Sequence, residues 1–471
     1  MRIGLLVPPR PREQVLNLIP PYPLAYLATA CRRHGHVPEI LDASLEALDT
    51  EGVARAVAAR GYDAVGVSVF STDVFITAEL VRRLKTLDRP PWIVLGGIHP
   101  SSYPEPTLRG IPAADFIFAG ESEPGLPRLL DLLAAGRGGD AAELAAVPGL
   151  GWRDRTEVRI NPKAPVSDLD ALGQPAWDLM DPRRYQAYPP TLFVRRRPFA
   201  PIITSRGCPF LCTYCAGHNV TGRRIRERSL DAVFEEIALL RERFGIREIH
   251  IEDDNFTARR ERVMDFCDRM LAAGWNMTWT MPNGVRLDTL DEDILKHMRR
   301  AGCYFLILGV ESGSDRILRH MRKKITVARV EEKAALVARA GILCHAFFML
   351  GYPEETEADF QATLDLALRL PLIGAHFSSF RPLPGTPIAE ELVTRGEIQA
   401  FDFSAERGTF ASVVYAPRGS TPERVKVWQK RMLRRFYFRP RILARYAWEI
   451  LRRPGLFVNL LRRAWLYLFG S

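Results

Sequence analysis

The chain contains no uninterrupted apolar run of the roughly 18 residues that a bilayer-crossing helix needs. Its most apolar C-terminal stretch, residues 456–469, is broken by Arg462 and Arg463. Cysteine is scarce, with seven in 471 residues, odd in number and widely scattered. That pattern excludes a disulfide framework and fits a reducing cytoplasm. The opening residues 1–9 are too short for a signal peptide and carry no small-residue cleavage site, so they read as a first strand. Acidic residues are lacking in one region only. Residues 418–471 hold 14 Lys or Arg against Glu423 and Glu449, a net of +12, while the whole chain carries +10. The basic character is therefore a property of the tail. Apolar residues at 47% and charged residues at 25% are ordinary for a globular chain, and this length accommodates two or three domains.

Residues 1–145 alternate apolar strands, near 4–7, 39–42, 63–69, 92–97 and 115–120, with helical stretches. Continuous apolar strands separated by helices predict a doubly wound, flavodoxin-like parallel sheet covered on both faces. Such sheets bind ligands beyond the carboxyl ends of their strands. Those ends carry Ser68, Ser71, Gly96, Gly97, Gly120 and Glu121. Residues 146–200 read as a linker with a small hairpin at 147–152 and 158–160, followed by scattered prolines. Its Arg195-Arg196-Arg197 run is either a solvated charge run or a face turned to a cofactor phosphate. Over residues 201–395 the alternation resumes with six strands, an incomplete (β/α)6 version of the TIM barrel. In it Ser229 is expected to cap a helix that presents Val233, Ile237 and Leu240 on one face. Residues 396–471 read as a basic helical region with Val425, Trp428, Met432 and Phe436 at helical spacing, then Ile442, Tyr446, Trp448 and Ile450.

The first strand of the second unit runs into Ser205-Arg206-Gly207-Cys208-Pro209-Phe210-Leu211-Cys212-Thr213-Tyr214-Cys215, a C-x3-C-x2-C loop. Three thiolates on one tight loop can hold three irons of a cubane iron–sulfur cluster and leave the fourth open. The bland alternative is a structural zinc site completed by His218, and with it a non-catalytic scaffold. Three later segments decide between them: residues 249–256 with Glu252, Asp253 and Asp254, residues 305–313 with Glu311, and residues 346–355 with Gly351 and Glu354.

These four segments, in this order, resemble the radical S-adenosylmethionine (SAM) superfamily. The layout ahead of them, with Gly66-Val67-Ser68, Gly96-Gly97-Ile98-His99-Pro100 and Gly120-Glu121-Ser122-Glu123, resembles the cobalamin-binding domain fused to many of its members. The cobalt-binding motif D-x-H-x-x-G is absent, because residues 8–21 contain neither Asp nor His. The resemblance implies a [4Fe-4S] cluster on Cys208, Cys212 and Cys215, and SAM on the open iron. It implies SAM contacts from Glu252, Asp253, Asp254, Glu311, Gly351 and Tyr214, with helix capping as the alternative for the acids and Glu354. A salt bridge to Arg286 is the alternative for Glu311, and packing of the loop the alternative for Tyr214. Cobalamin contacts fall on Ser68, Gly96, Gly97, His99 and Gly120, and His99 is equally a satisfied loop histidine. The four remaining cysteines, in apolar contexts, read as core residues.

The same resemblance implies reductive cleavage of SAM to a 5′-deoxyadenosyl radical, with electrons from a donor such as flavodoxin or ferredoxin. With cobalamin present, methylation of an unactivated carbon is the leading expectation, and ring closure or rearrangement without methyl transfer the alternative. Which residues act directly on the substrate is not legible in the sequence. The basic, aromatic-bearing tail suits peripheral contact with the inner face of an anionic membrane and a lipid-like substrate. The competing reading is helices that cover the barrel's open side. RNA binding ranks last, for want of a recognisable module.

Overall fold

A computed structural model describes residues 1–10, 18–186, 194–399 and 412–452. The N-terminal strands are β1 (Arg2–Val7), β2 (Val37–Asp42), β3 (Ala64–Ser68), β4 (Trp92–Gly96), β5 (Phe116–Phe118), β6 (Leu150–Asp154) and β7 (Glu157–Ile160). They form one sheet in the order β2-β1-β3-β4-β5-β6-β7. The pairs from β2 through β5 are parallel, whereas β6 and β7 add antiparallel. The hairpin expected inside the linker is therefore the edge of the first sheet, which runs to Ile160 rather than ending near residue 145. Trp152 carries it there, packing 4% exposed with Phe116 and Phe118 in one of the sheet's two apolar layers. Val53, Val57, Leu80 and Val81 fill the opposite layer. Burial on both faces is why these strands are continuously apolar.

The second sheet joins β8 (Phe199–Ile202), β11 (Glu248–Ile251), β12 (Thr278–Val285), β13 (Cys303–Glu311), β14 (Leu343–Leu350) and β15 (Gly374–Ser379), with a short ribbon of β9 (Ser205–Arg206) and β10 (Arg226–Glu227) beside it. Its order, β15-β14-β13-β12-β11-β8, with every pair parallel, is a six-stranded open barrel. The first helix after it, Leu230–Phe244, is capped as expected, Ser229 Oγ accepting from Ala232 N at 3.1 Å. All nine residues of β13 are buried.

The open edge at β15 is closed by the helix Pro422–Tyr437. Tyr437 Oη accepts from Ala375 N at 3.1 Å and donates to Ala375 O at 2.9 Å, and Gln429 donates to Phe377 O at 2.7 Å. Val425, Trp428, Met432 and Phe436 sink into the barrel core. This protects backbone groups that an edge strand would otherwise expose. Covering the barrel is thus the role of this part of the tail. The last part of the basic tail, residues 453–471, lies outside the described residues, as does 11–17 of the segment lacking the cobalt motif. No helix among the described residues is long and apolar enough to cross a membrane.

The Arg195-Arg196-Arg197 run faces no cofactor cleft. The backbone N–H groups of Arg195 and Arg196 donate to Glu248 Oε2 at 3.0 and 2.7 Å, at the start of β11 and so at the opposite end of the strands from the cysteine loop.

Candidate active site

The cysteine loop leaves β8 and is clamped from the end of β11. Asp253 accepts from Thr204 N at 2.6 Å, Thr204 Oγ1 at 2.7 Å and Ser205 Oγ at 2.7 Å. Asp254 accepts from Gly207 N at 2.8 Å and Thr221 Oγ1 at 2.7 Å. Two of the three strand-end acids therefore fix the two sides of the loop. Helix capping, the alternative for them, is not what they do. Gly207, at φ +94°, is required here, since a Cβ would lie 2.2 Å from Arg224 O.

Glu252 is different. It is buried and its Oε1 has no hydrogen-bond partner, while its backbone carbonyl accepts from Asn283 at 2.9 Å and its backbone N–H donates to Ile202 O at 2.9 Å. Burial, reinforced by the charge of Asp253, pushes its carboxyl up to about 8. A neutral acid with an unsatisfied oxygen is waiting for a donor.

Glu311 ends β13 at φ +74° and accepts from Lys323 Nζ at 2.9 Å, which also donates to Tyr214 Oη at 3.1 Å. Its salt-bridge partner is Lys323 rather than Arg286, and both Glu311 and Lys323 are buried. Gly309 leaves room for the pair, because a Cβ there would meet Lys323 Nζ at 3.0 Å. Tyr214 thus serves the loop's packing through this lysine. Arg286 instead takes Asp288 in a fork, with both bonds at 2.8 Å, and approaches Cys212 Sγ at 3.9 Å.

Gly351 lies close to the covering helix. At φ +79° a Cβ there would lie 3.2 Å from the Val425 side chain of the covering helix. Glu354 pairs with Arg395 at 2.6 Å and caps nothing, as the next helix is capped by a Thr356–Asp359 box.

On the facing side, the carboxyl ends of the first sheet open into a cleft of about 210 Å3 shared with the barrel. Gly66, Ser68, Gly96, Gly97 and Gly120 line one wall, and Ser205, Arg206, Glu252 and Asp254 the other. Four of the five expected cobalamin contacts are thus brought together. The fifth, His99, is fully buried outside this lining, bonded through Nδ1 to Ser71 Oγ at 3.0 Å. Burial lowers it to about 4, so it stays a neutral interior histidine. Glycines along the floor leave a flat surface for a broad macrocycle, and Leu5, Leu24, Leu27 and Phe118 supply apolar contact, so the lining fits cobalamin. It contains no histidine to ligate cobalt.

The two sheets are locked across this cleft by charges that sequence reasoning did not assign. Arg206, inside the cysteine loop, donates to Glu123 at 2.6 Å and lies 3.3 Å from Glu121, while Arg226 holds Glu121 with two bonds at 2.7 Å. All four side chains are under 10% exposed. Lys163 adds a tie, donating to Ser101 O at 2.9 Å and Asn219 O at 2.7 Å. The available signal was Arg206 lying two residues from Cys208, facing the Glu121-Ser122-Glu123 turn.

All seven cysteines are free, and Cys208, Cys212 and Cys215 alone are not buried. Among the described residues, no three Cys, His, Asp or Glu side chains gather around a single-ion position. Three thiols on one loop, without a fourth ligand, fit a cluster with one open iron.

Two sheets whose parallel strands meet carboxyl end to carboxyl end over a three-cysteine loop enclose a cleft between two domains. Residues 202–367 match the Radical SAM superfamily and residues 12–130 the B12 binding domain; the chain belongs to the radical SAM superfamily and carries a B12-binding domain ahead of the barrel. Family membership implies SAM, a [4Fe-4S] cluster and cobalamin as its cofactors. An uncharacterized methyltransferase of Pyrococcus horikoshii is 29% identical over 95% of both chains. The cytidylyl-2-hydroxyethylphosphonate methyltransferase of Streptomyces wedmorensis is 26% identical over 80% of this chain and 78% of its own. The anaerobic magnesium-protoporphyrin IX monomethyl ester cyclase of Cereibacter sphaeroides is 28% identical over 91% of this chain and 69% of its own. The fold is shared with the methyltransferase TsrM of Kitasatospora setae, solved with tryptophan and a SAM analogue (TM-score 0.71, 22% identity, 94% of this chain and 84% of TsrM). It is shared equally with the cobalamin-dependent radical enzyme OxsB (TM-score 0.75, 16% identity, 100% of this chain and 73% of OxsB).

Proposed function

We propose that this enzyme is a cobalamin-dependent radical SAM methyltransferase acting on an unactivated carbon of a small molecule. The observation that carries the reading is the single cleft lined by the glycines of the B12-binding sheet on one side and by Glu252 and the base of the cysteine loop on the other. When bound, the [4Fe-4S] cluster, SAM and cobalamin supply one-electron cleavage of SAM and a transferable methyl group.

The chain's own contribution is placement. Cys208, Cys212 and Cys215 hold the cluster, and Asp253 and Asp254 hold the loop that carries them. Glu252 is the acid with acceptor capacity to spare, so it takes the N–H of SAM's amino group. Glu311, whose Oε1 accepts from Lys323, takes a ribose hydroxyl of SAM. Ser68, Gly96, Gly97 and Gly120 accept the cobalamin. The Arg206–Glu123 and Arg226–Glu121 pairs keep the two cofactors in register.

Ring closure without methyl transfer is the second reading, supported by the cyclase that aligns over 91% of this chain. Counting SAM molecules consumed against methyl groups gained separates the two. A lipid-like substrate would suit the exposed Leu443, Trp448 and Leu451, of which helical geometry sets Trp448 and Leu451 opposite the buried Ile442 and Tyr446. Flotation with anionic liposomes tests that contact.

The deciding experiment is anaerobic purification with cobalamin supplied, followed by iron and cobalt analysis and assay of 5′-deoxyadenosine under a flavodoxin or ferredoxin reductant. Cys212→Ala is expected to abolish the cluster absorbance and all 5′-deoxyadenosine. Retained SAM cleavage in that variant would overturn the assignment.

A further inference from the structure

Arg286 follows β12 and is held on every side. Nε and Nη2 donate to the two oxygens of Asp288 at 2.8 Å, and Nη2 also donates to Lys323 O at 2.7 Å. The guanidinium carbon lies 3.5 Å from the centroid of the Phe210 ring, two residues from both Cys208 and Cys212. The remaining arm, Nη1, reaches Cys212 Sγ at 3.9 Å. The residue is only 9% exposed, so little water screens its charge. Three of these partners together fix the guanidinium that reaches the fourth, Cys212.

We infer that Arg286 is a positioning residue that orients the Cys212 thiolate and sets the reduction potential of the cluster, an inference that rests on the cluster reading above. Adding an electron makes the cluster more negative, and a fixed cation with an N–H directed at a ligand sulfur stabilises that added charge. Hydrogen bonds to sulfur, net charge and solvent exposure are the levers that set such potentials. Asp288 opposes the effect, since its carboxylate offsets part of the guanidinium charge. Arginine suits the position better than lysine, because its planar fork satisfies Asp288 while another N–H points elsewhere and its face stacks on Phe210.

The test is a redox titration of the anaerobic, cluster-loaded protein, read by electron paramagnetic resonance. R286M is expected to lower the reduced-to-oxidised ratio at a fixed potential at least tenfold, which for a one-electron couple is about 59 mV. R286K should fall between R286M and the wild type. D288N should move the potential in the opposite direction, because it removes the opposing charge and leaves the cation. A role limited to packing the loop predicts lowered iron occupancy with an unmoved potential in the molecules that retain the cluster. That result overturns the inference. If R286M fails to hold a cluster, D288N decides alone: a raised potential supports the inference and an unchanged one refutes it. A wild-type protein without iron and sulfide would sink the cluster reading and this inference with it, and elemental analysis tells that outcome apart.

Discussion

Glu252→Gln gives a stability difference that depends on pH in a calculable way. The carboxyl is raised from an ordinary 4.5 to about 8 by burial, with the charge of Asp253 adding to it. A raised value means that the folded state binds a proton more tightly than the unfolded chain does. The stability gained from that proton is fully present below pH 4.5 and is lost as pH rises toward 8. Each pH unit well inside that window costs about 1.4 kcal/mol. Between pH 5 and pH 7 the wild type therefore loses about 2.5 kcal/mol from this group alone. Glutamine does not titrate, so the variant escapes the loss. Any pH-independent cost of the amide, and the titration of every group not coupled to Glu252, cancels when the variant-minus-wild-type difference is compared at the two pH values. Urea unfolding of the cofactor-free protein at pH 5 and pH 7, with midpoint and slope fitted together, measures it. The variant should gain about 2.5 kcal/mol on the wild type across that interval. A change below about 0.5 kcal/mol would mean that Glu252 is ionised at neutral pH and would refute the reasoning.

Arg206→Met leaves Glu123 buried without its cation and should cost about 3–5 kcal/mol, seen as separate unfolding of the two sheets in calorimetry. Gly66→Val puts a branched side chain on the cleft floor, where a Cβ lies 3.2 Å from the Leu5 side chain and 4.0 Å from the Ile3 side chain. Equilibrium dialysis should show at least tenfold weaker cobalamin binding with unchanged circular dichroism, and unchanged affinity would remove cobalamin from this cleft. Trp428→Ala, at a site 6% exposed against the barrel core, should cost about 3–5 kcal/mol. It should also speed hydrogen exchange at Ala375, on the edge strand that this helix protects.

The alternation of apolar strands and helices carried both sheets, because burial on two faces writes a continuous signal into the sequence. It misplaced the end of the first sheet, since β6 and β7 are short, half-polar at the edge, and separated from β5 by the helices Leu126–Ala134 and Ala141–Ala145. The three cysteines were legible because their chemistry needs that residue type at that spacing. The strand-end acids were legible as a group but not individually. Asp253 and Asp254 are distinguished from Glu252 only by what Thr204, Ser205, Gly207 and Thr221 offer them, some 30 to 50 residues away in sequence. Lys323 and Arg286 were invisible as partners of Glu311 and Cys212, because each arrives from its own loop and carries no motif. Gly351 and His99 were assigned from likeness to motifs. Their neighbours, Val425 and Ser71, show them doing interior work.

The central claim is that three cysteines leave one iron free for SAM. Electron–nuclear double resonance of the reduced, cluster-loaded protein mixed with SAM labelled at its amino nitrogen tests it most directly. The account predicts a nitrogen coupling that appears only with labelled SAM and is lost with Cys212→Ala. A spectrum indifferent to SAM, or a colourless protein carrying one zinc, would contradict it.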